Sequence, residues 1–287
     1  MSSLIIKTPA KINIFLSVLG KRADNYHELE TLFQTIELYD ELIIRKRKGS
    51  RSLLVKDRPD LQNSENLVLR AIRWLESRCE TELGVEVELR KQIPIAAGLG
   101  GGSSDAAATL LGMRELFDLR ELTDEDLATG ALTLGADVPF FLSGGAAIGH
   151  GVGEILTPVR PLEDHAIMLV NPLFPVATAQ IFAAFSETLT AYKKKGTLQR
   201  LLDQGAELNQ LLFNDLQQSA ELIYPEIKLI RETFVEAGVR ETLMTGSGPT
   251  VFALGDLEML ESLRSLFSDK YWIVVTHPCS TGVLFNQ

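Results

Sequence analysis

Residues 91–108 read KQIPIAAGLGGGSSDAAA, and Gly98, Gly100, Gly101, Gly102 and Ser103 fall within six positions. Such a run suits a loop whose backbone N–H groups converge on an oxyanion, because glycine carries no Cβ to block the approach. A glycine-rich turn alone most often just reverses the chain. Its neighbours here argue for more. Val85, Val87 and Leu89 alternate with Glu86, Glu88 and Arg90, the pattern of a half-buried strand. Beyond the loop, Ala106, Leu110, Met113 and Phe117 recur at helical spacing. Ser103, Ser104 and Asp105 suit the start of that helix, where unpaired N–H groups and the positive end of the dipole favour phosphate. Strand, glycine loop and helix, in that order, make a phosphate cradle.

Two better-known phosphate loops are excluded. A Walker A loop ends in lysine followed by serine or threonine, and no lysine follows these glycines. A dinucleotide fingerprint needs a third glycine where Ser103 stands. It also needs an acidic strand end about 20 residues on, where Asp118 and Glu121 sit in a polar connection.

The net charge of −10 argues against nucleic-acid binding, which needs a basic footprint. An acidic chain that handles anions must supply positive potential locally, from single lysines and helix N-termini. With 287 residues, 45% apolar and 23% charged, the chain has the composition of one large or two modest globular domains. Cys79 and Cys279 are too few and too far apart for a disulfide framework or a metal cluster, and fit a reducing cytoplasm. The N-terminus looks like a first strand and not a signal peptide, and no apolar run approaches the ~18 residues of a spanning helix.

The first half alternates strand-like segments, at 4–8, 10–19, 32–38, 42–47, 52–55 and 85–89, with helices. One helix starts at Ser64 or Asn66 and reaches Ser77, and another covers 104–117. Thr123 is an N-cap with Asp124, Glu125 and Asp126 in the first turn behind it. A boundary is expected within Thr157–Asp164, which holds two prolines and mixed charge. Beyond it come a strand at 166–170, helical segments at 178–190, 197–203, 206–222, 225–237 and 256–267, strands at 241–245, 250–254 and 272–276, and a last apolar run at 282–285. This order suggests an α+β protein rather than a regular βαβ array.

Four further features carry possible chemistry. Asp137 lies in GADVPFF; the plain reading is a cap or turn residue before proline, and the sharper one is a general base. Strand alternation puts Lys11 and Asn13 on one face, opposite Ile12 and Ile14. A strand lysine is usually solvated, but beside a buried carboxylate it would stabilise charge developing on phosphate. Tyr26 and His27 follow the polar turn Lys21–Asn25, and either pack on their own domain or stack on a heterocycle. Residues 244–250, MTGSGPT, form a second glycine turn, by itself a tight strand connection.

Together these features resemble the three motifs of the GHMP kinases, in the right order and over nearly the whole chain. Pro9–Asn13 resembles the first motif, Pro94–Ala108 the second and Thr245–Thr250 the third. The resemblance implies a two-domain α+β fold. Residues 1–157 form an ATP-binding, catalytic α/β domain of the ribosomal S5 domain 2-like type, and residues 158–287 an α+β substrate domain. The last strand, about 280–287, is a candidate to return to the N-terminal domain. The segments AKINIFL, DNYHEL, GGGSSDAA and GADVPFF point within the superfamily to a branch of the non-mevalonate route to isoprenoid precursors. That branch transfers the ATP γ-phosphoryl group to the 2-hydroxyl of a cytidine-diphosphate-linked methylerythritol.

By the same resemblance Asp137 is the catalytic base and Lys11 its partner. Pro94, Ala96, Ala97, Gly98, Leu99, Gly100, Gly101, Gly102, Ser103 and Ser104 bind ATP, the glycine loop and helix N-terminus holding its phosphates, with Asn66 and Lys91 near the adenine. Asn13, Tyr26, His27, Thr178 and Phe182 bind the acceptor, Tyr26 by stacking on the cytosine and His27 by hydrogen bonds. Mg²⁺ is expected with ATP, its protein ligands unassigned. A cytoplasmic monomer or weak homodimer with no nucleic-acid or membrane partner is expected. Asn25 stands where relatives commonly have glycine, and asparagine tolerates the left-handed conformation such a turn requires. Two alternatives remain: another kinase of the superfamily, of the homoserine or mevalonate type, and a non-catalytic ATP-binding regulator. Tyr26 and His27 argue against the first, and Lys11 with Asp137 against the second.

Overall fold

Alternating apolar residues in the first 46 positions build one long antiparallel hairpin, β1 (Ser3–Lys21) and β2 (His27–Lys46). The computed structural model describes residues 3–162, 165–185 and 197–286. Parts of three sequence expectations lie outside them: 186–190 of a helix, 163–164 of the boundary and 287 of the last strand. Where the sequence suggests two strands on either side of Pro9, the structure has one, with a register shift between Pro9 and Ala10. Proline has no N–H to give to the ladder, so the hairpin bulges instead of ending. The extra residues of β2 find another partner: the Glu37 N–H donates to the His277 carbonyl at 2.9 Å.

In chain order there follow β3 (Ser52–Val55), α1 (Leu67–Arg78), β4 (Val85–Arg90), α2 (Gly101–Phe117), α3 (Asp124–Leu134), α4 (Val138–Ser143), β5 (Ala146–Gly151) and β6 (Ile155–Val159). Then come β7 (Ala166–Asn171), α5 (Thr178–Ala184), α6 (Thr197–Asp203), α7 (Leu208–Leu211), β8 (Phe213–Asn214), α8 (Gln217–Ile223), α9 (Pro225–Glu236), β9 (Thr242–Met244), β10 (Val251–Gly255), α10 (Leu257–Ser262), β11 (Trp272–Thr276) and β12 (Leu284–Asn286).

One eight-stranded sheet runs β12-β1-β2-β4-β3, with β5 on the other half of β2, β6 on β5, and β8 parallel to β1. A four-stranded antiparallel sheet runs β11-β7-β10-β9. The stretch 135–156, dense in glycine and apolar residues, thus holds the short helix α4, all of β5 and the start of β6. Three local signals decide the helix ends. Asn66 caps α1 by accepting the Val68 N–H at 3.0 Å, and Thr123 and Asp126 form a reciprocal capping box on α3. α2 starts at Gly101, three residues earlier than its apolar spacing suggests, because Gly100 turns the chain in the left-handed region (φ 70°). The single helix expected over 206–222 is broken at Asn214 and Asp215. Their side chains take the Leu216 N–H at 2.9 Å and the Val18 N–H at 2.7 Å, a competing set of bonds that pulls the backbone out of the helix.

Strand alternation distributes three apolar cores. Ile6, Leu42, Ile44, Val87 and Leu89 face α1, α2 and α4. Met168, Val170, Val251 and Ala253 face α8, α9 and α10. Their alternates, Ile167, Leu169, Phe252 and Leu254, meet Ile12, Ile14, Leu32 and Ile148 in a third core between the two sheets. That core fixes the opposite face of β1, which carries Lys11 and Asn13, against the end of the glycine loop.

Candidate active site

The three motifs meet at one place. The Lys11 N–H donates to the Leu99 carbonyl at 2.9 Å, and the Asn13 N–H donates to Thr245 Oγ1 at 2.9 Å. The loop passes so close to the Thr245 turn that a Cβ on Gly98 (φ +77°) would stand 2.3 Å from the Thr245 carbonyl oxygen. A cleft of about 1010 Å³ opens along this junction. Pro94, Ala96, Ala97, Gly98 and Gly100–Ser103 line one end, and Lys11, Asn13, Asp137 and Gly246 line the middle. Tyr26, His27, Thr178, Phe182 and Ser247 line the other end.

Two of the expected phosphate-loop residues are not in its wall. Leu99 is 1% exposed and anchors the loop in the core between the sheets. Ser104 is buried in the first turn of α2, its Oγ without a partner. Ser103 supplies the hydroxyl at the head of the helix instead.

Lys11 and Asp137 form the centre. Lys11 Nζ lies 3.3 Å from Asp137 Oδ2; the lysine side chain is 4% exposed and the aspartate 34%. Asp137 sits in the turn and at the N-cap position of α4 that the plain reading expects, but its side chain does not cap, and the residue lines the cleft. Lys11 Nζ also donates to Asn13 Oδ1 at 2.7 Å and sits 5.5 Å from the centre of the Phe33 ring. Thr31 fixes which way the Asn13 amide points. Its hydroxyl donates to the Phe15 carbonyl at 2.7 Å and so accepts from Asn13 Nδ2 at 2.8 Å, leaving Oδ1 for the lysine. Thr31 gave no sequence signal; its role depends on the strand register that sets it beside Asn13.

At the far end, His27 and Phe182 stack at 4.9 Å with 25° between their planes. Thr178 Oγ1 and Ser247 Oγ are 2.9 Å apart. Tyr26 is 62% exposed at the mouth, and the preceding Asn25 takes the left-handed conformation (φ 69°). Gly246 and Ser247, part of the third motif but expected in no site role, line the cleft; Asn214 Nδ2 holds their turn through the Met244 and Gly246 carbonyls at 2.7 and 2.8 Å.

The two residues expected near the adenine are engaged elsewhere. Asn66 spends its amide on capping α1 and on the Leu61 carbonyl at 3.0 Å. The Lys91 ammonium is held between Asp40 and Asp105. Both residues still line the cleft, but neither offers a free head group. Burial, and next the Asp105 charge, push the Asp40 carboxyl up to about 6. Its two neighbouring carboxylates hold Lys91 above the ordinary lysine range despite burial.

Among the described residues no group of three or more His, Cys, Asp or Glu side chains is placed to hold a metal ion. The cleft does offer hard oxygen donors, the Ser103 hydroxyl at the glycine-loop end and the Asp137 carboxylate in the middle. Such a set fits Mg²⁺ held mainly by phosphate oxygens and water. No helix among the described residues is long and apolar enough to cross a membrane.

The chain matches the family described as GHMP kinases N terminal domain over residues 66–145, and GHMP kinases C terminal over 194–269. It is 40% identical over 278 residues to the 4-diphosphocytidyl-2-C-methyl-D-erythritol kinase of Geobacter metallireducens, covering 96% of this chain and 98% of the relative. The enzyme of the same name from Pelotomaculum thermopropionicum is 42% identical, covering 90% and 91%. A crystal structure of 4-(cytidine 5'-diphospho)-2C-methyl-D-erythritol kinase superposes with a TM-score of 0.75 at 33% identity, covering 95% and 99%. The homoserine kinase of Cytophaga hutchinsonii, at 17% identity and a TM-score of 0.76 over 100% and 98%, shares the fold.

Proposed function

The chain belongs to the GHMP kinases and, within them, to the 4-diphosphocytidyl-2-C-methyl-D-erythritol kinases, and we propose that its cleft works by direct in-line transfer with Asp137 as the base. It is an ATP-dependent kinase that phosphorylates the 2-hydroxyl of 4-diphosphocytidyl-2-C-methyl-D-erythritol, a step of the non-mevalonate route to isoprenoid precursors. The observation that carries the mechanism is the Lys11–Asp137 pair, at 3.3 Å, between the glycine loop and the aromatic end of one cleft.

In this reading the loop amides and the head of α2 hold the β- and γ-phosphates. Asp137 accepts the hydroxyl proton as attack proceeds, and Lys11, held by Asn13, balances the charge that develops. Mg²⁺, held by phosphate oxygens with Ser103 and Asp137 in reach, would neutralise the β- and γ-phosphate charge when bound. The stacked His27 and Phe182, with Tyr26 at the mouth, offer aromatic faces to the cytosine. Thr178 and Ser247 offer hydroxyls to the rest of the acceptor. We place the division between the nucleotide and acceptor domains near residue 157, and the protein, with both cysteines unpaired, in the cytoplasm as a monomer or weak homodimer.

The test is to incubate the protein with Mg-ATP and the cytidyl-methylerythritol acceptor and weigh the product. A gain of one phosphoryl group is expected with this acceptor and not with homoserine or mevalonate. Turnover of either of those instead would overturn the substrate assignment.

A further inference from the structure

Below the glycine loop, away from the reacting atoms, lies a charged cluster that the phosphoryl transfer leaves unused. Lys91 Nζ donates to Asp40 Oδ2 and, at 2.8 Å, to Asp105 Oδ2. Asp40 is fully buried and Asp105 nearly so. Asp40 Oδ1 accepts the Gln92 N–H at 2.5 Å and the Ile93 N–H at 2.9 Å, the residues that carry β4 into the loop. Its Oδ2 lies 3.2 Å from where a Cβ on Gly101, the first residue of α2, would stand. Asp105 Oδ1 accepts the Thr8 hydroxyl at 2.8 Å. One carboxylate thus ties β2 to both sides of the loop, and two carboxylates share one ammonium. The cluster holds an uncompensated negative charge directly under the place where a polyanion is to bind.

We propose that Asp40 is a positioning residue for nucleotide binding, and that ATP binds together with a proton taken up by the Asp40 carboxylate. The proposal rests on the reading of the glycine loop as the ATP site. A triphosphate arriving above the pair adds negative potential in a water-poor setting, which favours the protonated carboxyl. The charged groups facing Asp40 are Lys91 at the end of β4 and Asp105 on α2; β1 contributes the Thr8 hydroxyl to Asp105, and the loop its two amides. Burial and the Asp105 charge already hold Asp40 well above the carboxylate range before nucleotide binds. A site that binds a proton with its ligand binds that ligand more tightly as pH falls.

Calorimetry of Mg-ATP binding near pH 6.5, in two buffers of different ionisation heat, reads the proton directly. The wild type is expected to take up about half a proton more than Asp40→Asn, for a rise of about one pKa unit on binding. Asparagine keeps an acceptor for the two amides but cannot titrate, and the difference between the two proteins cancels the titration of ATP itself. Asp40→Ala, which loses the acceptor too, is expected to raise the KM for ATP about tenfold with the acceptor KM within about twofold. If neither Asp40 variant folds, Asp105→Asn keeps an acceptor for Thr8 and, with the like charge gone, moves the proton uptake to lower pH. Equal uptake in the wild type and the Asn variants, or equal effects of Asp40→Ala on both KM values, overturns the proposal. No heat of ATP binding in the wild type overturns the nucleotide reading and this proposal with it.

Discussion

At the proposed nucleotide end of the cleft most of the lining comes from one short stretch, Pro94–Ser103, with Leu99 turned into the core, whereas at the proposed acceptor end His27, Thr178, Phe182 and Ser247 come from three separate parts of the chain. The first end works through backbone amides, which are neighbours by construction and need residues without bulk. The second works through side chains, which need only be brought together by folding. One kind of site therefore leaves a compact mark in the sequence, and the other leaves scattered residues that mean little apart.

The contrast can be tested most severely where the two ends meet. Asp137→Asn keeps the size of the side chain and removes the proton acceptor, so kcat is expected to fall by about 10²–10⁴ while ATP and acceptor affinities stay near those of the wild type. Near-native turnover would mean that neither end is serving a base at this position. A smaller effect separates the demands of the ligand from those of the fold. A Cβ on Gly102 would meet nothing closer than Leu67 Cδ1 at 3.7 Å, so the protein itself leaves room for it. Gly102→Ala is expected to raise the melting temperature slightly, as alanine favours a helix by up to about 1 kcal/mol over glycine. The KM for ATP is expected to rise about thirtyfold, because the methyl stands where phosphate approaches. An unchanged KM would show that backbone approach does not define this end. The smallest effects belong to the aromatic end. His27→Ala and Phe182→Ala each remove one ring of the stack, worth about 1 kcal/mol beyond its area, and are expected to raise the acceptor KM about tenfold without moving that for ATP. Equal shifts in both constants would dissolve the distinction between the ends.

The same contrast explains how far the sequence could be read. The glycine run and the strand face of Lys11 and Asn13 were legible because each follows a local rule of spacing or backbone freedom, whereas Asp137 read locally as a cap or turn residue and took its other role from likeness to a family. The acceptor residues were assigned through likeness to a family and not through any property of their own neighbourhoods. Lys91 was placed near the adenine by the same likeness; the two carboxylates that hold it lie 51 and 14 residues away in sequence, and no local pattern points to either. The helix expected over 206–222 was a fair reading of its apolar spacing, and fails because Asn214 and Asp215 have partners on β1 and in the turn after β9. Pro9 likewise suggested a break between two strands that the hairpin carries through as a bulge.

β1 is paired along its length by β2, by β8 and, over Ile5–Lys7, by β12. During synthesis these partners leave the ribosome at very different times. β2 follows at once, β8 emerges much later, and β12 later still. Until then the first strand presents unpaired N–H and C=O groups along an edge, the surface through which strands of different molecules join. Long-range pairing of this kind is slow, and the waiting species is prone to aggregate. Removing β12 is therefore expected to reopen that edge over Ile5–Lys7 and to lower soluble yield, although the strand lines no part of the cleft.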